Sequence, residues 1–327
     1  MGRILVTGAG GYLGGHLINT ILEDKKFDGY EVRGIDNFLI AKEENYNLIK
    51  KSSRVELLKG DITKKGDVKE MMRDVDIVYH LAAISGVLAC SNNQERSEGI
   101  NVGGTQNLLE ASLHNVDYFI FASSAAVYEN SEIEVVTEDV PRSPGNIYGM
   151  QKSSCEALCE EYNSRGLGTV ILRFSNIYGK GTYVKWRTVV PTFIRCLLEG
   201  KPLPVHGSGK QKRNFVHIDD IIGFLGASVT PEAKGEKFNV GSFENTSVGE
   251  LARLVKDIFE DETRAIKIIH GPPRDATPER TFDISIEKLG RLGWSPKVTL
   301  RDGITRTYDA GLEALEHGFS ESQKSID

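Results

Sequence analysis

The glycine-rich segment near the start of the chain is the feature that most restricts the possible folds. An apolar run at residues 4–7 leads into Gly8, Gly11 and Gly14, and helical spacing of apolar residues follows over residues 13–22. This order is typical of a dinucleotide site, in which the glycines make the turn, admit the pyrophosphate and pack the helix. The phosphates would lie at the helix N-terminus. The predicted contact segment comprises Gly8, Gly11, Tyr12, Leu13 and Gly14; a glycine-rich turn without a ligand is the alternative.

Strand-like and helix-like patterns alternate through the first half of the 327-residue chain. Short apolar runs occur at residues 4–7, 31–35, 55–58, 76–80, 118–122 and 169–174. Segments with helical spacing occur at residues 13–22, 68–72, 102–113 and 153–162. Such alternation predicts an α/β fold of the Rossmann type, with a doubly wound parallel sheet.

The pattern loosens after about residue 175, which indicates a second, smaller α/β domain that binds the substrate. We therefore predict a cofactor domain over residues 1–175 and a substrate domain over residues 176–327. A helix at 217–229 and a strand at 237–240 suggest that residues 215–241 return to the first domain.

Charge and cysteine content restrict the partners. The net charge of -6 argues against a nucleic-acid or anionic-membrane surface, and the first apolar run is too short to span a membrane. The four cysteines have no zinc-type spacing and do not form a disulfide framework. No metal is expected, because the histidines also have no ligand spacing. These features favour a cytoplasmic protein.

Two acidic residues follow predicted strands on the cofactor side. Asp36 ends the second strand, where a carboxylate can accept both ribose hydroxyls and would repel a 2′-phosphate, so NAD is favoured over NADP. Asp61 follows the third strand, where it could bind the adenine amino group or only cap a helix. Their neighbours Asn37 and Ile62 belong to the same predicted site.

Small residues and an asparagine complete the predicted cofactor site. Leu81, Ala82 and Ala83 follow His80 at the end of the fourth strand, where the backbone can run close to the pyrophosphate and ribose. Asn101 begins a long predicted helix and could orient loops around the cofactor, or only cap the helix.

A tyrosine and a lysine one helical turn apart form the predicted catalytic pair. Tyr148 and Lys152 would lie on one helix face. The positive charge, together with the nicotinamide of the oxidised cofactor, would lower the pKa of the phenol and suit it to proton exchange with an alcohol. The spacing alone is weak evidence, because Tyr46 and Lys50 share it. Only Tyr148 has a strand that ends in serines upstream, and Ser124 there could hold the substrate oxygen.

Taken in order, these motifs resemble the extended short-chain dehydrogenases that act on nucleotide sugars, the NAD-dependent epimerase/dehydratase family that includes UDP-glucose 4-epimerase. The resemblance covers nearly the whole chain, through the segments at residues 7–14, 36–37, 60–62, 80–83, 173–179 and 293–296 and the trio Ser124, Tyr148 and Lys152. It implies a nucleotide-diphosphate sugar as the substrate. It also implies a homodimer, in which the helices at residues 102–113 and 153–162 form a four-helix bundle.

The residues after Ser124 favour one reaction of that family. Its dehydratases carry an Asp-Glu pair at this point and its decarboxylases a Glu, whereas this chain has Ala125 and Ala126. Glu129 could supply a carboxylate, although a solvated loop residue is the simpler interpretation. The resemblance then implies 4-epimerisation, by transient hydride transfer to NAD and a 4-keto intermediate. A nucleotide-sugar dehydrogenase or 4-keto reductase is the alternative, and a non-enzymatic NAD sensor is less favoured.

The resemblance also assigns the substrate contacts. Ser85 corresponds to residues that touch the sugar, and Asn176 to an asparagine that binds the diphosphate. Residues 202–217 resemble the loop around the nucleotide base, which includes Val205 and brings Arg213 to the pyrophosphate. Arg274 resembles a second phosphate-binding arginine, with Arg280 as its rival.

Overall fold

A computed structural model describes residues 2–272 and 282–316 of the chain. The strands are β1 (Gly2–Thr7), β2 (Tyr30–Asp36), β3 (Val55–Lys59), β4 (Ile77–His80), β5 (Tyr118–Ser124), β6 (Val135–Val136), β7 (Thr169–Phe174), β8 (Asn176–Tyr178), β9 (Leu203–His206), β10 (Lys212–His217), β11 (Lys237–Val240), β12 (Asn245–Ser247), β13 (Ile268–Gly271) and β14 (Asp283–Ile284).

The α-helices are α1 (Gly14–Glu23), α2 (Lys65–Met71), α3 (Val87–Asn92), α4 (Gln94–Glu98), α5 (Gly104–Ser112), α6 (Ile147–Ser164), α7 (Val189–Leu198), α8 (Ile218–Ala227), α9 (Val248–Phe259) and α10 (Leu300–Glu316). Within the described residues, no helix combines the length and the apolar character that crossing a membrane requires.

The main sheet has seven strands in the order β11-β7-β5-β4-β1-β2-β3, and every pairing in it is parallel. The predicted doubly wound parallel sheet is therefore confirmed. Consecutive residues of β1 enter different cores, because Ile4 and Val6 pack with α1 and α8 while Leu5 packs with α2, α5 and α6. This alternation places helices on both faces of the sheet.

The strand order reverses between β1 and β4. From β1 the chain builds β2 and β3 on one side, and then β4, β5, β7 and β11 on the other. In open parallel sheets a ligand crevice forms at this reversal, outside the carboxyl ends of the strands. The glycine turn after β1 opens into that crevice.

A smaller set of elements lies beyond β7. Strands β12, β10 and β8 form one sheet and β13 pairs with β9, while helices α7, α9 and α10 enclose a third core that includes Phe193, Leu251 and Ile304. The chain returns to the main fold between these elements, since α8 packs on α1 and β11 pairs with β7. The predicted division into two domains stays a prediction. Residues 215–217, however, pair with β8 in the smaller sheet.

Two predicted helices differ from the observed ones at their N-termini. The predicted helix at residues 102–113 begins as a π-helical turn, Gly99–Gly103, before α5. The predicted helix at residues 153–162 is only the middle of α6, which starts at Ile147. Asn146 caps α6, because its side chain accepts a hydrogen bond of 2.8 Å from the Gly149 N–H. This cap places Tyr148 and Lys152 in the first two turns of the helix.

Candidate active site

One cleft at the carboxyl ends of the strands brings together most of the residues that the sequence predicts. The predicted residues that line it are Gly8, Gly11, Tyr12, Leu13, Gly14, Asp36, Asn37, Ile62, Leu81, Ala82, Ala83, Ser85, Ser124, Tyr148, Lys152 and Asn176. The cleft thus runs from the end of β2, past the glycine turn, to the segment after β8.

Backbone contacts build the glycine turn. Gly8 has φ +72°, and a Cβ there would lie 3.0 Å from Cα of Ala82. The Gly11 N–H donates to the Gly8 carbonyl at 3.0 Å, and a Cβ on Gly14 would overlap that same carbonyl. Only glycine fits these contacts, which bring the start of α1 against the turn and expose backbone N–H groups to an anion.

Asp36 presents its carboxylate at the end of β2. It accepts hydrogen bonds from the Gly10 N–H at 3.0 Å and the Phe38 N–H at 2.9 Å. Burial raises the pKa of Asp36, against the effect of these backbone donors. The side chain is held firmly at the cleft wall, in the position where a dinucleotide-binding fold presents an acceptor to the ribose.

Asp61 lies behind the cleft wall rather than on it. Its carboxylate accepts bonds from the Thr63 N–H at 2.9 Å and from the Asn37 side-chain amide at 3.2 Å. The expected helix-capping role is not observed, since the N-cap of α2 is Lys64. Asp61 therefore closes a local turn, and through Asn37 it braces the cleft.

Asn101 neither lines the cleft nor caps a helix. It is buried in the π-helical turn, where its side chain accepts from the Ile84 N–H at 2.8 Å and donates to the Ile84 carbonyl at 3.0 Å. Of the two predicted roles, these bonds agree with orienting a loop and not with capping a helix; a direct contact with the cofactor stays a prediction. The asparagine provides hydrogen-bond partners for the buried backbone of the loop at residues 81–85. It thereby holds this loop in place without lining the cleft itself.

His80 connects three elements beneath the glycine turn. Its ring nitrogens lie 2.9 Å from the Thr7 hydroxyl of β1 and 2.9 Å from the Thr105 hydroxyl of α5. Burial lowers the pKa of His80 to about 3, so the ring is neutral at neutral pH. Thr7 also accepts from the Ala82 N–H at 3.2 Å, which links this histidine to the cleft wall.

Ser124, Tyr148 and Lys152 lie together where β5 ends and α6 begins. The Ser124 and Tyr148 side chains both line this part of the cleft, and the Ser124 hydroxyl acts to lower the pKa of the Tyr148 phenol. Lys152 is buried, and its ammonium lies 5.9 Å from the centroid of the Tyr148 ring and donates to the Ala122 carbonyl at 2.6 Å. The predicted trio is thus one contiguous group.

The pKa of the Tyr148 phenol differs from the sequence-based expectation. Burial raises this pKa to about 12, and the Ser124 hydroxyl opposes the rise. Burial therefore outweighs the lowering that was expected from Lys152. Burial also lowers the pKa of Lys152.

The second tyrosine-lysine pair has a structural role. The Tyr46 hydroxyl donates to the Leu58 carbonyl at 2.9 Å, and Lys50 forms an ion pair with Glu23. Identical spacing therefore produces two unrelated environments, and the strand that precedes Tyr148 distinguishes them.

A buried ion pair that the sequence did not suggest fixes α6 against the sheet. The Arg173 guanidinium on β7 donates to Glu156 on α6 at 2.7 Å, and Ser123 on β5 donates to the same carboxylate at 2.5 Å. Glu156 follows Lys152 by one turn and Ser123 precedes Ser124. This network therefore determines the distance between the serine end of β5 and the helix that carries Tyr148.

The segment after Ser124 contains no acid. Residues Ala125–Tyr128 form a single 3-10 turn that begins when the Ser124 hydroxyl accepts from the Ala126 N–H at 3.2 Å. Glu129, expected in solvent, is half-buried and accepts a bond from the Asn146 amide, so it reinforces the cap of α6.

The predicted substrate residues are only partly brought together. Ser85 and Asn176 line the cleft, and Asn176 donates to the Asn214 carbonyl at 3.2 Å. Val205 is fully buried in the third core, because β9 packs beneath α7 and α9, so its side chain cannot reach a ligand in the cleft. Arg213 is half-buried on β10 and does not line the cleft; it donates to the Lys212 carbonyl at 2.8 Å. Arg274 and Arg280 lie outside the described residues.

The cleft also contains residues that the sequence analysis did not select, including one whole segment after β8. Tyr183, Lys185 and Thr188 lie between β8 and α7 and line the cleft beside Asn176. Nothing periodic marks this segment, which reaches the cleft because Tyr12 binds it twice: its hydroxyl donates to the Gly179 carbonyl at 3.0 Å and its carbonyl accepts from the Thr182 N–H at 3.0 Å.

The parallel sheet, its glycine turn, and the Ser-Tyr-Lys group at the strand ends define a Rossmann-fold enzyme of the extended short-chain dehydrogenase class. The chain belongs to the NAD dependent epimerase/dehydratase family, whose sequence profile matches residues 4–241. This family confirms the expected cofactor, NAD. The glycine turn, the N-terminus of α1 and the Asp36 acceptor fit such a dinucleotide in shape and in donor chemistry.

Individual relatives cover nearly the whole chain. It is 33% identical over 326 residues to the uncharacterized UDP-glucose epimerase YtcB of Bacillus subtilis (strain 168), with 97% of this chain and 99% of the relative covered. It is 30% identical over 318 residues to the UDP-N-acetyl-alpha-D-glucosaminuronate decarboxylase of Bacillus cytotoxicus, with 93% and 96% covered. Among solved structures, it resembles the UDP-glucuronic acid 4-epimerase of Bacillus cereus, crystallised with UDP-glucuronic acid and NAD, at 33% identity and a TM-score of 0.83, with 95% of this chain and 99% of that one covered.

Proposed function

We propose that this enzyme is a nucleotide-sugar 4-epimerase. The observation that carries the proposal is that Ser124 and Tyr148 both line the reactive end of the cleft, where the turn that follows Ser124 provides no acid. Among the described residues that line the cleft, Asp36 is the only carboxylate, and it lies at the opposite end, on β2. The site therefore offers a phenol for proton exchange and lacks a second acid near Ser124.

In the proposed reaction, Tyr148 accepts the proton of the sugar 4-hydroxyl and later returns it. Ser124 holds the same oxygen by a hydrogen bond. When bound, NAD would supply the acceptor for the hydride from the sugar carbon and the donor for its return. The Lys152 ammonium, buried beside the phenol, stabilises the phenolate that proton transfer requires.

The absence of an acid distinguishes epimerisation from its competitors in the family. Elimination of water from the sugar needs an acid and a base next to the reacting carbons. The turn that contains Ala125 and Ala126 provides neither, and Glu129 is already bonded to the cap of α6. Reversible oxidation at one carbon needs only the phenol and the cofactor.

The proposal is tested by turnover of a panel of UDP- and dTDP-linked sugars. We expect the protein to interconvert 4-epimers, seen by chromatography, without accumulation of reduced cofactor, seen by absorbance. Tyr148→Phe should lower turnover by about a thousandfold or more, because it removes the proton carrier, and should leave NAD binding intact.

The matched control is Tyr46→Phe, which removes the same hydroxyl from the structural tyrosine and should retain most of the activity. Stoichiometric NADH would instead identify a dehydrogenase, and full turnover by Tyr148→Phe would refute the assignment. The homodimer through α5 and α6 stays a prediction, which the molar mass in solution tests.

A further inference from the structure

Lys185 is a cation at the cleft wall that the proposed reaction does not use. It is half-buried and lines the cleft, and its ammonium donates to the Ser85 hydroxyl at 3.3 Å. The N–H and hydroxyl of Thr188 both bond to the Lys185 carbonyl, at 3.4 Å and 3.3 Å, so the backbone at this lysine is fixed by a local turn.

The position of the Lys185–Ser85 contact relates it to the reacting sugar. Lys185 belongs to the segment that follows β7 and β8, and Ser85 belongs to the loop that follows β4. In the main sheet β5 lies between β7 and β4, and Ser124 is its last residue. The contact therefore joins the two loops that flank Ser124, and it lies far along the sheet from Asp36 on β2.

The ammonium has no anionic partner among the described residues. None of the carboxylates at residues 2–272 and 282–316 forms an ion pair with Lys185, and the one carboxylate that lines the cleft, Asp36, is bonded to two backbone N–H groups instead. Burial lowers the pKa of Lys185, and no charge within the described part of the chain opposes this shift. A half-buried ammonium of this kind is stabilised when a ligand brings an anion to it.

A nucleotide sugar can offer two anions, its diphosphate and a carboxylate on the sugar. Asn176, at the start of β8, lines the cleft and is the candidate for the diphosphate. Lys185 instead reaches toward the β4 loop, across the strand end that carries Ser124. The Ser85 hydroxyl accepts from Lys185 and keeps its own proton to donate to a carboxylate at that end.

We propose that Lys185 recognises a sugar carboxylate, so that the enzyme prefers nucleotide-linked uronic acids to neutral hexoses. This inference rests on the proposed function, because it assumes that the sugar lies at Ser124 and Tyr148. It assigns a specificity role to a residue that touches substrate and takes no part in proton transfer.

The test measures binding in the NAD-loaded Tyr148→Phe protein, so that turnover does not interfere. Calorimetric titration compares UDP-glucuronic acid, UDP-glucose and UDP. We expect UDP-glucuronic acid to bind about tenfold or more tightly than UDP-glucose, as a charge-assisted hydrogen bond predicts. Adding Lys185→Met should abolish that preference and leave the affinity for UDP unchanged, whereas Lys185→Arg should retain part of it.

Lys180→Met is the matched control, because Lys180 lies in the same segment but is exposed and paired with Glu313. It should keep the full preference. Equal weakening of UDP and both sugars by Lys185→Met would assign the lysine to the diphosphate and overturn the proposal. The proposal would also be overturned if the Tyr148→Phe protein with Lys185 intact bound UDP-glucuronic acid no more tightly than UDP-glucose. This outcome does not depend on whether the Lys185→Met variant folds. If the preference is present but the unmodified enzyme converts no nucleotide sugar, the proposed function fails while the Lys185 assignment stands.

Discussion

The two halves of the cleft are built by different means. The half that we assign to NAD consists of backbone: a glycine turn in contact with the Ala82 main chain, and an Asp36 side chain held by two main-chain donors. The half that we assign to the sugar consists of side chains from separate loops, such as Lys185 and Ser85. A backbone site tolerates few substitutions, whereas a site of loop side chains can change its ligand at little cost to the fold.

The largest expected effect comes from adding one methyl group to the cofactor half. Gly14→Ala places a Cβ into the Gly8 carbonyl and should destabilise the protein by about 3 kcal/mol, because the rigid turn cannot relax, and NAD binding should be lost with it. Thermal unfolding and NAD titration measure both effects. Gly103→Ala is the control, since a Cβ there has no neighbour within 4 Å and the backbone is helical. If Gly14→Ala bound NAD as tightly as the parent, the conclusion that backbone contacts of the glycine turn form the NAD site would be wrong.

An intermediate effect is expected from pH, which should change the free energy of unfolding through His80, the histidine beneath the glycine turn. Burial lowers the pKa of His80 to about 3 in the folded protein. In the unfolded chain the same histidine binds a proton once the pH falls below about 6.5, so acid favours the unfolded state. The free energy of unfolding should therefore fall by about 1.4 kcal/mol per pH unit from this group between about pH 6 and pH 4. His80→Asn should remove that slope, so the difference between it and the parent shrinks as the solution is acidified.

Chemical denaturation at several pH values measures the slope. His114→Asn serves as the control, because His114 is exposed and asparagine tolerates its positive φ of 77°. It should keep the pH dependence of the parent. An unaltered slope in His80→Asn would show that other groups cause the acid sensitivity.

The smallest expected effect concerns the side chain that the cofactor half does use. Asp36→Asn removes the charge and keeps an acceptor for only one of the Gly10 and Phe38 N–H groups, because each bonds to a different oxygen of Asp36. We expect NAD to bind about tenfold more weakly, or about 1.5 kcal/mol, with little change in nucleotide-sugar affinity. Titrations of the two ligands separate the halves. Asp74→Asn, a 90% exposed position, is the control. A comparable loss of sugar-nucleotide affinity in Asp36→Asn would mean that the two halves are not independent.

The fold and the cofactor turn were accessible to sequence analysis because their signals are local. Strand periodicity, glycine spacing and the tyrosine-lysine turn each involve residues close together in the chain, and these patterns predicted the parallel sheet and the trio at β5 and α6. The same local logic could not decide between the two predicted roles of Asn101, because its partners on Ile84 lie in a loop 17 residues earlier in the chain. It also selected Val205, since a loop motif does not reveal which residue of β9 enters the third core.

The sequence by itself determined the doubly wound sheet, the dinucleotide turn, NAD as the cofactor and the identity of the Ser-Tyr-Lys group, because each follows from short-range spacing and from the chemistry of its residues. Only the tertiary structure decided that Glu156 and Arg173 fix this group to the sheet and that burial raises the pKa of Tyr148. It alone brought Lys185 to Ser85, 100 residues away in the chain. Contacts over such distances depend on how loops pack across strand ends, and no local pattern encodes that packing.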